Sequence, residues 1–160
     1  MGRYYTTEHF SGKFGFAVQP SYDPEYFGME EYSPNEIHYY LEGSVENIKA
    51  VTELLDLQYD ICELPKEKRV YYVADDNVLY DFVETVLDPV VYREYDPEID
   101  DGAAVYGGFE PDWLAEHGFS SGHLVTKTEA MQLAMFRIRL GLRILSDLKD
   151  RSECILVAEV

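Results

Sequence analysis

The chain has 160 residues, 46% of them hydrophobic, enough for one compact domain that buries about 70% of the surface its unfolded form exposes. Thirteen Lys and Arg stand against 31 Asp and Glu, a net charge of −18, so the average field repels duplex DNA, RNA and anionic membranes and favours a basic or neutral partner. Cys62 and Cys154, without a second cysteine pair or a secretory leader, read as thiols of a reducing, cytoplasmic compartment, and the composition fits neither a disordered tail nor a disulfide scaffold.

Met1 to Thr6 fits a loose myristoylation pattern, but Arg3 and two tyrosines follow the glycine and no polybasic signal accompanies it, so it reads as the start of a strand. Residues 3–7 and 13–19 flank Ser11-Gly12, and Phe14, Phe16 and Val18 alternate with Gly15 and Ala17, which predicts a hairpin. Pro20 to Pro34, with three prolines and four aromatics, predicts an ordered surface crossing. Ile37 to Leu41 reads as a strand and Ser44 as the N-cap of a helix over 45–59, with Val45, Ile48, Val51 and Leu55 on its apolar face. Val70 to Val73 predicts another strand. Asp75 or Asp76 then caps a helix over 77–87, which Asp88-Pro89 is expected to stop before a strand at Val90 to Tyr95. An offset of 32 matches Tyr39, Tyr40, Val51 and Leu55 with Tyr71, Tyr72, Val83 and Leu87, which reads as two copies of one supersecondary plan.

From Asp96 to Gly122 the periodicity fails, a length of irregular chain uncommon in compact domains unless it is functional. Thr126-Lys127-Thr128-Glu129 has the spacing of a capping box before a helix over 129–149, and Cys154 to Val157 reads as a last strand. The long helix carries two apolar faces. Met131, Ala134, Met135, Ile138, Leu142 and Leu145 gather on one side, and Leu133, Phe136, Leu140 and Ile144 on the other. One face is expected to cover the sheet and the other to meet an internal layer or, in a homodimer, a second copy. Arg137, Arg139 and Arg143 bar the helix from a bilayer.

The motifs that would signal catalysis lack their context. Gly118-Phe119-Ser120-Ser121-Gly122 spells a nucleophile elbow, but no strand precedes it and no histidine beyond His123 completes a triad. His117, His123 and Glu116 do not form a recognised zinc frame, and Asp96 to Gly107 lacks the glycine and the closing carboxylate of a calcium loop. Gly107-Gly108 lacks the helix and the basic residue of a phosphate loop. No catalytic set, metal or cofactor is therefore expected.

Charge is unevenly placed: residues 1–126 sum to −19, whereas residues 127–151 sum to +3. Arg139 and Arg143 share one strip of the long helix, where guanidinium forks would clamp an anionic ligand or nucleotide, or else pair with nearby carboxylates. Fourteen tyrosines include three Tyr-Tyr pairs, at 4–5, 39–40 and 71–72, most of whose rings are assigned to core packing. Tyr92, Glu94, Tyr95, Asp96, Glu98, Asp100, Asp101, Tyr106 and Trp113 mix rings and carboxylates in irregular chain, a surface suited to a partner bearing arginines and lysines. The expectation is a single α+β domain over 1–160, a mixed sheet of about six strands with three packed helices. Its expected role is to dock an acidic, tyrosine-bearing face on a basic protein, such as a nucleic-acid-handling protein whose groove would accept carboxylates in place of phosphates. The alternatives are an anionic-ligand or enzymatic domain at the arginine strip, or a structural subunit joined through the 129–149 helix.

Overall fold

A computed structural model of the chain describes residues 3–7, 14–17, 23–33, 37–91, 93–94, 104–106, 125–127 and 129–159. The fold is α+β. Five strands form one sheet in the order β2-β1-β8-β4-β3, with β1 Arg3–Thr7, β2 Phe14–Ala17, β3 Glu30–Ser33, β4 Ile37–Glu42 and β8 Glu153–Glu159. β5 Arg93–Glu94, β6 Ala104–Tyr106 and β7 Val125–Lys127 form a second sheet in the order β5-β7-β6. A single mixed sheet of about six strands is thus replaced by two smaller sheets, and every described pairing is antiparallel.

The helices are α1 Asp23–Tyr26, α2 Val45–Ile61, α3 Asp76–Phe82, α4 Asp88–Val91 and α5 Glu129–Asp150. α2 starts at Ser44, whose hydroxyl accepts the Asn47 N–H at 3.1 Å and so satisfies one of the donors a helix start leaves open. Val51, Leu55, Gln58 and Tyr59 form its buried stripe. α5 packs against α2 on one side and meets β8 and β2 on the other. The close approach to α2 and to Phe27, just after α1, requires Gly141, where a Cβ would lie 2.9 Å from the Phe27 ring and 3.3 Å from Leu55.

Both apolar faces of α5 are therefore filled from within the chain. Ala134, Ile138, Leu142 and Leu145 on one side, and Leu140 and Ile144 on the other, have no accessible surface. Leu133 of the second face is half-buried.

Several segments depart from the sequence expectations. The Pro20 to Pro34 crossing contains α1 and β3, and Asp23, Pro24, Phe27 and Met29 are buried, so this stretch is part of the core and its edge. Val70 to Val73 joins no sheet, because side chains take its backbone groups: the Tyr59 hydroxyl donates to Val70 O, and the Val73 N–H donates to Ser146 Oγ at 2.9 Å. Asp88-Pro89 does not stop the third helix. A π turn over Val83–Leu87 widens the spiral, the Asp88 N–H reaches Val83 O, and Pro89, which has no N–H to place, continues into α4. Of the expected strand at 90–95, Val90 and Val91 belong to α4 and Arg93–Glu94 form β5, while Tyr92 and Tyr95 lie outside the described residues. Thr126 lies in β7 opposite Arg93 and Val105, and α5 starts at Glu129. The offset of 32 also has no structural counterpart, since Tyr39–Tyr40 lie in a strand and Tyr71–Tyr72 do not, while Val83 and Leu87 lie in the π turn.

Candidate functional site

Strand parity places one face of the five-stranded sheet against α5 and turns the other outward. On β4, Tyr39 and Leu41 are buried while Tyr40 and Glu42 are exposed; on β8, Cys154 and Leu156 are buried while Glu153 is exposed and Ile155 and Val157 are half-buried. The register sets Tyr40 opposite Ile155, His38 opposite Val157 and Glu42 opposite Glu153, with Glu30 of β3 opposite Tyr40. Tyr32, 56% exposed, lies with its ring 5.4 Å from that of His38.

The outward face is thus a strip of rings and branched aliphatic chains bordered by Glu30, Glu42 and Glu153. Its electrostatics are unbalanced, because Glu42 and Glu153 face each other directly across β4 and β8, an arrangement that costs stability for like charges. The Tyr40 phenol is held above the ordinary range by burial first and then by the charges of Glu153 and Glu42. Phenol-to-carboxylate hydrogen bonds occur elsewhere on the molecule: Tyr72 donates to Asp150 at 2.9 Å and Tyr71 to Asp56.

Beside this face, the turn from α5 into β8 frames a cavity of about 140 Å³ whose lining includes, among the described residues, Asp147, Arg151, Glu153 and Ile155. The turn is tight. The Arg151 N–H closes on Asp147 O at 2.8 Å, Ser152 takes a left-handed φ of 64°, and the Gly43 N–H donates to Ser152 O at 2.9 Å. Gly43 must lack a side chain here, because a Cβ would stand 2.8 Å from Leu148 O and Ser152 O. Asp147 is buried, and burial raises the pKa of the Cys154 thiol well above its usual value, with the Asp147 charge adding to the rise.

At the arginine strip, Arg143 pairs with a carboxylate. Arg143 is 4% exposed and ion-paired with Asp76 at the start of α3, and desolvation lowers its pKa against the opposing pull of Asp76 and Asp147. Arg139 is half-buried near it, and neither residue lines the cavity. Arg137 donates from Nε to Asp23 Oδ1 at 3.2 Å and lies over the Tyr26 ring, 4.3 Å from its centroid, while Gln58 Nε2 donates to the Tyr26 hydroxyl at 2.7 Å.

Of the acidic and aromatic residues between 92 and 113, Glu94 in β5 and Tyr106 in β6 share one row of the small sheet, each opposite Val125 of β7. Tyr92, Tyr95, Asp96, Glu98, Asp100, Asp101 and Trp113 lie outside the described residues, as do the Ser120 motif, His117 and His123. Tyr32, His38, Tyr40, Glu42, Glu153 and Ile155 were missed as surface residues. The available signal was the Tyr39-Tyr40 pair itself, since one ring of such a pair in a strand must face outward. Among the described residues no group of three His, Cys, Asp or Glu side chains is placed to hold a metal ion, and no helix is long and apolar enough to cross a membrane. Comparison of the chain with protein-family models, curated proteins and solved structures returned no match.

Proposed function

We propose that this chain is a single-domain cytoplasmic binding protein that docks on a basic protein partner through the outward face of its five-stranded sheet. The observation that carries the reading is the pairing of Tyr40, His38, Ile155 and Val157 with Glu30, Glu42 and Glu153 on the sheet face that α5 does not cover. An apolar and aromatic strip supplies contact area, and the bordering carboxylates supply direction and speed of encounter. The net charge of −18 acts in the same sense at longer range. A basic nucleic-acid-binding groove is one surface that would accept this arrangement, with glutamates standing where phosphates otherwise lie. Cys62 and Cys154, both buried and not joined in a disulfide, agree with a reducing compartment.

A binding role is favoured over an anionic-ligand pocket at Arg139 and Arg143 because Asp76 already takes the Arg143 guanidinium. The test is titration of isotopically labelled protein with an arginine-rich peptide, followed by amide chemical shifts. Changes should centre on His38, Tyr40, Glu153 and Ile155. Changes spread evenly over all exposed carboxylates would mean that the acidity serves solubility alone.

A further inference from the structure

We propose that the outward side of α2 is a second docking surface, one that receives an amphipathic helix of a partner whose apolar stripe is flanked by lysines or arginines. It lies apart from the sheet face, since α2 packs on α5 and α5 meets β8, and so goes beyond the docking role proposed above. The core stripe of α2 is Val51, Leu55, Gln58 and Tyr59. At about 100° per residue a second stripe runs beside it: Ala50, Leu54, Leu57 and Ile61, at i, i+4, i+7 and i+11. Alternating steps of four and three are the spacing with which one helix packs along another. Leu57 is 53% exposed and Ile61 41%, Ala50 is exposed as well, and Leu54 is half-buried against the core. Single exposed aliphatic chains are ordinary on a protein surface, whereas these stand in one row.

The charges beside the stripe select its occupant. Glu46, Glu53 and Asp60, at i, i+7 and i+14, form an exposed acidic row along the solvent side of the stripe. In a pair of helices this is the row next to the seam, whose side chains meet the charges of the facing helix and set which partner is accepted. Asp60 already holds Arg69, while Glu46 and Glu53 have no ion pair among the described residues. A facing helix with lysine or arginine beside its own apolar stripe completes this row. A second copy of the chain does not, because Lys49 is the one basic residue of α2 and each copy brings a net charge of −18. The stripe supplies contact area, and the row supplies direction and the choice of a cationic partner.

The probe is a synthetic helical peptide of about three heptads, with leucine at the seam and lysine at the flanks, titrated into the isotopically labelled full-length chain. The comparison peptide carries glutamate in place of each lysine. The lysine peptide should bind saturably, with amide shifts centred on Ala50, Leu54, Leu57 and Ile61, and the glutamate peptide should not. Leu57→Gln, at a position open to water, should leave the melting temperature near the native value and weaken binding by about tenfold, the loss of one leucine's buried contact, and Ile61→Gln should act in the same direction. Glu46→Gln combined with Glu53→Gln should slow association at low salt, with the difference fading as salt rises. No saturable binding, equal binding of the glutamate peptide, or native affinity in both Leu57→Gln and Ile61→Gln would each overturn the proposal. Self-association of the chain alone that Leu57→Gln abolishes would also overturn it, by making a second copy the occupant. The two docking surfaces fail separately: an arginine-rich peptide without apolar residues should leave the helical peptide in place on α2, and displacement of one by the other would show that α2 is not a surface of its own.

Discussion

Gly43 shows how far a single side chain's absence shapes the surface described here. It lets β4 pass under the α5–β8 turn with no room for even a methyl group, the nearest atoms being backbone that cannot rotate away. Gly43→Ala should therefore destabilise the fold by about 1–3 kcal/mol, the usual cost of overpacking, read as a lowered urea midpoint. Asp23 makes a different demand. It is 1% exposed, Arg137 holds one carboxylate oxygen, and the other has no hydrogen-bond partner among the described residues. Burial raises its pKa above the ordinary 3.8, and the opposing pull of Arg137 does not restore it. The folded chain thus holds this proton to a higher pH than the unfolded chain does. The stability it contributes is complete below pH 3.8 and is lost as pH rises through the folded value. Unfolding free energies from about pH 3.5 to about pH 7 should fall less steeply with rising pH in Asp23→Asn than in the native chain, whatever the variant costs in lost pairing with Arg137. Parallel curves would show that Asp23 titrates alike in both states.

At the scale of elements, what could be read from the sequence was what local patterns determine. α2 was legible because Ser44 caps it and Val51 and Leu55 recur at one helical turn, and α5 because its two apolar faces run for six turns without a breaker. The hairpin strands followed from alternation, and β4 and β8 from short runs of strand-favouring residues. Val70 to Val73 was misread because its partners come from far along the chain: Tyr59 lies 11 positions away and Ser146 lies 73 positions away. The π turn was hidden because Asp-Pro ordinarily ends a helix. The outward sheet face was missed because parity in a strand fixes that Tyr39 and Tyr40 diverge but not which of them α5 will cover. Ser146 is the direct probe of this distant pairing, since its hydroxyl accepts the Val73 N–H and donates to Leu142 O at 2.7 Å. Ser146→Ala would leave the Val73 N–H unsatisfied, at a cost of about 1–3 kcal/mol. Hydrogen exchange at the Val73 amide should quicken with it, and unchanged exchange would show that another acceptor holds the segment. Arg69 pins the same segment from outside, donating to Leu64 O and pairing with Asp56 and Asp60. Because both carboxylates are largely open to water, Arg69→Ala should cost less than the buried contact would suggest, about 1–2 kcal/mol in thermal or urea unfolding.

For the whole molecule, the central question is whether the sheet face or the overall acidity selects the partner. A net charge of −18 accelerates encounter with any cationic surface, so salt dependence alone does not separate the two. Two variants of equal net charge do. Glu30, Glu42 and Glu153 border the outward face, while Glu53, Glu63 and Glu67 are exposed on and after α2, which packs on α5 away from the sheet. Neutralising either set to glutamine removes three charges from exposed positions, which contribute little to stability. The decisive measurement is the association rate of an arginine-rich peptide with each variant by stopped-flow fluorescence, taken across a range of ionic strength. The sheet-face variant should associate at least about tenfold more slowly than the native chain at low salt, with the difference fading as salt rises, while the α2 variant stays near the native rate. Equal slowing in both variants would contradict the account, leaving the face as one part of a uniformly acidic surface.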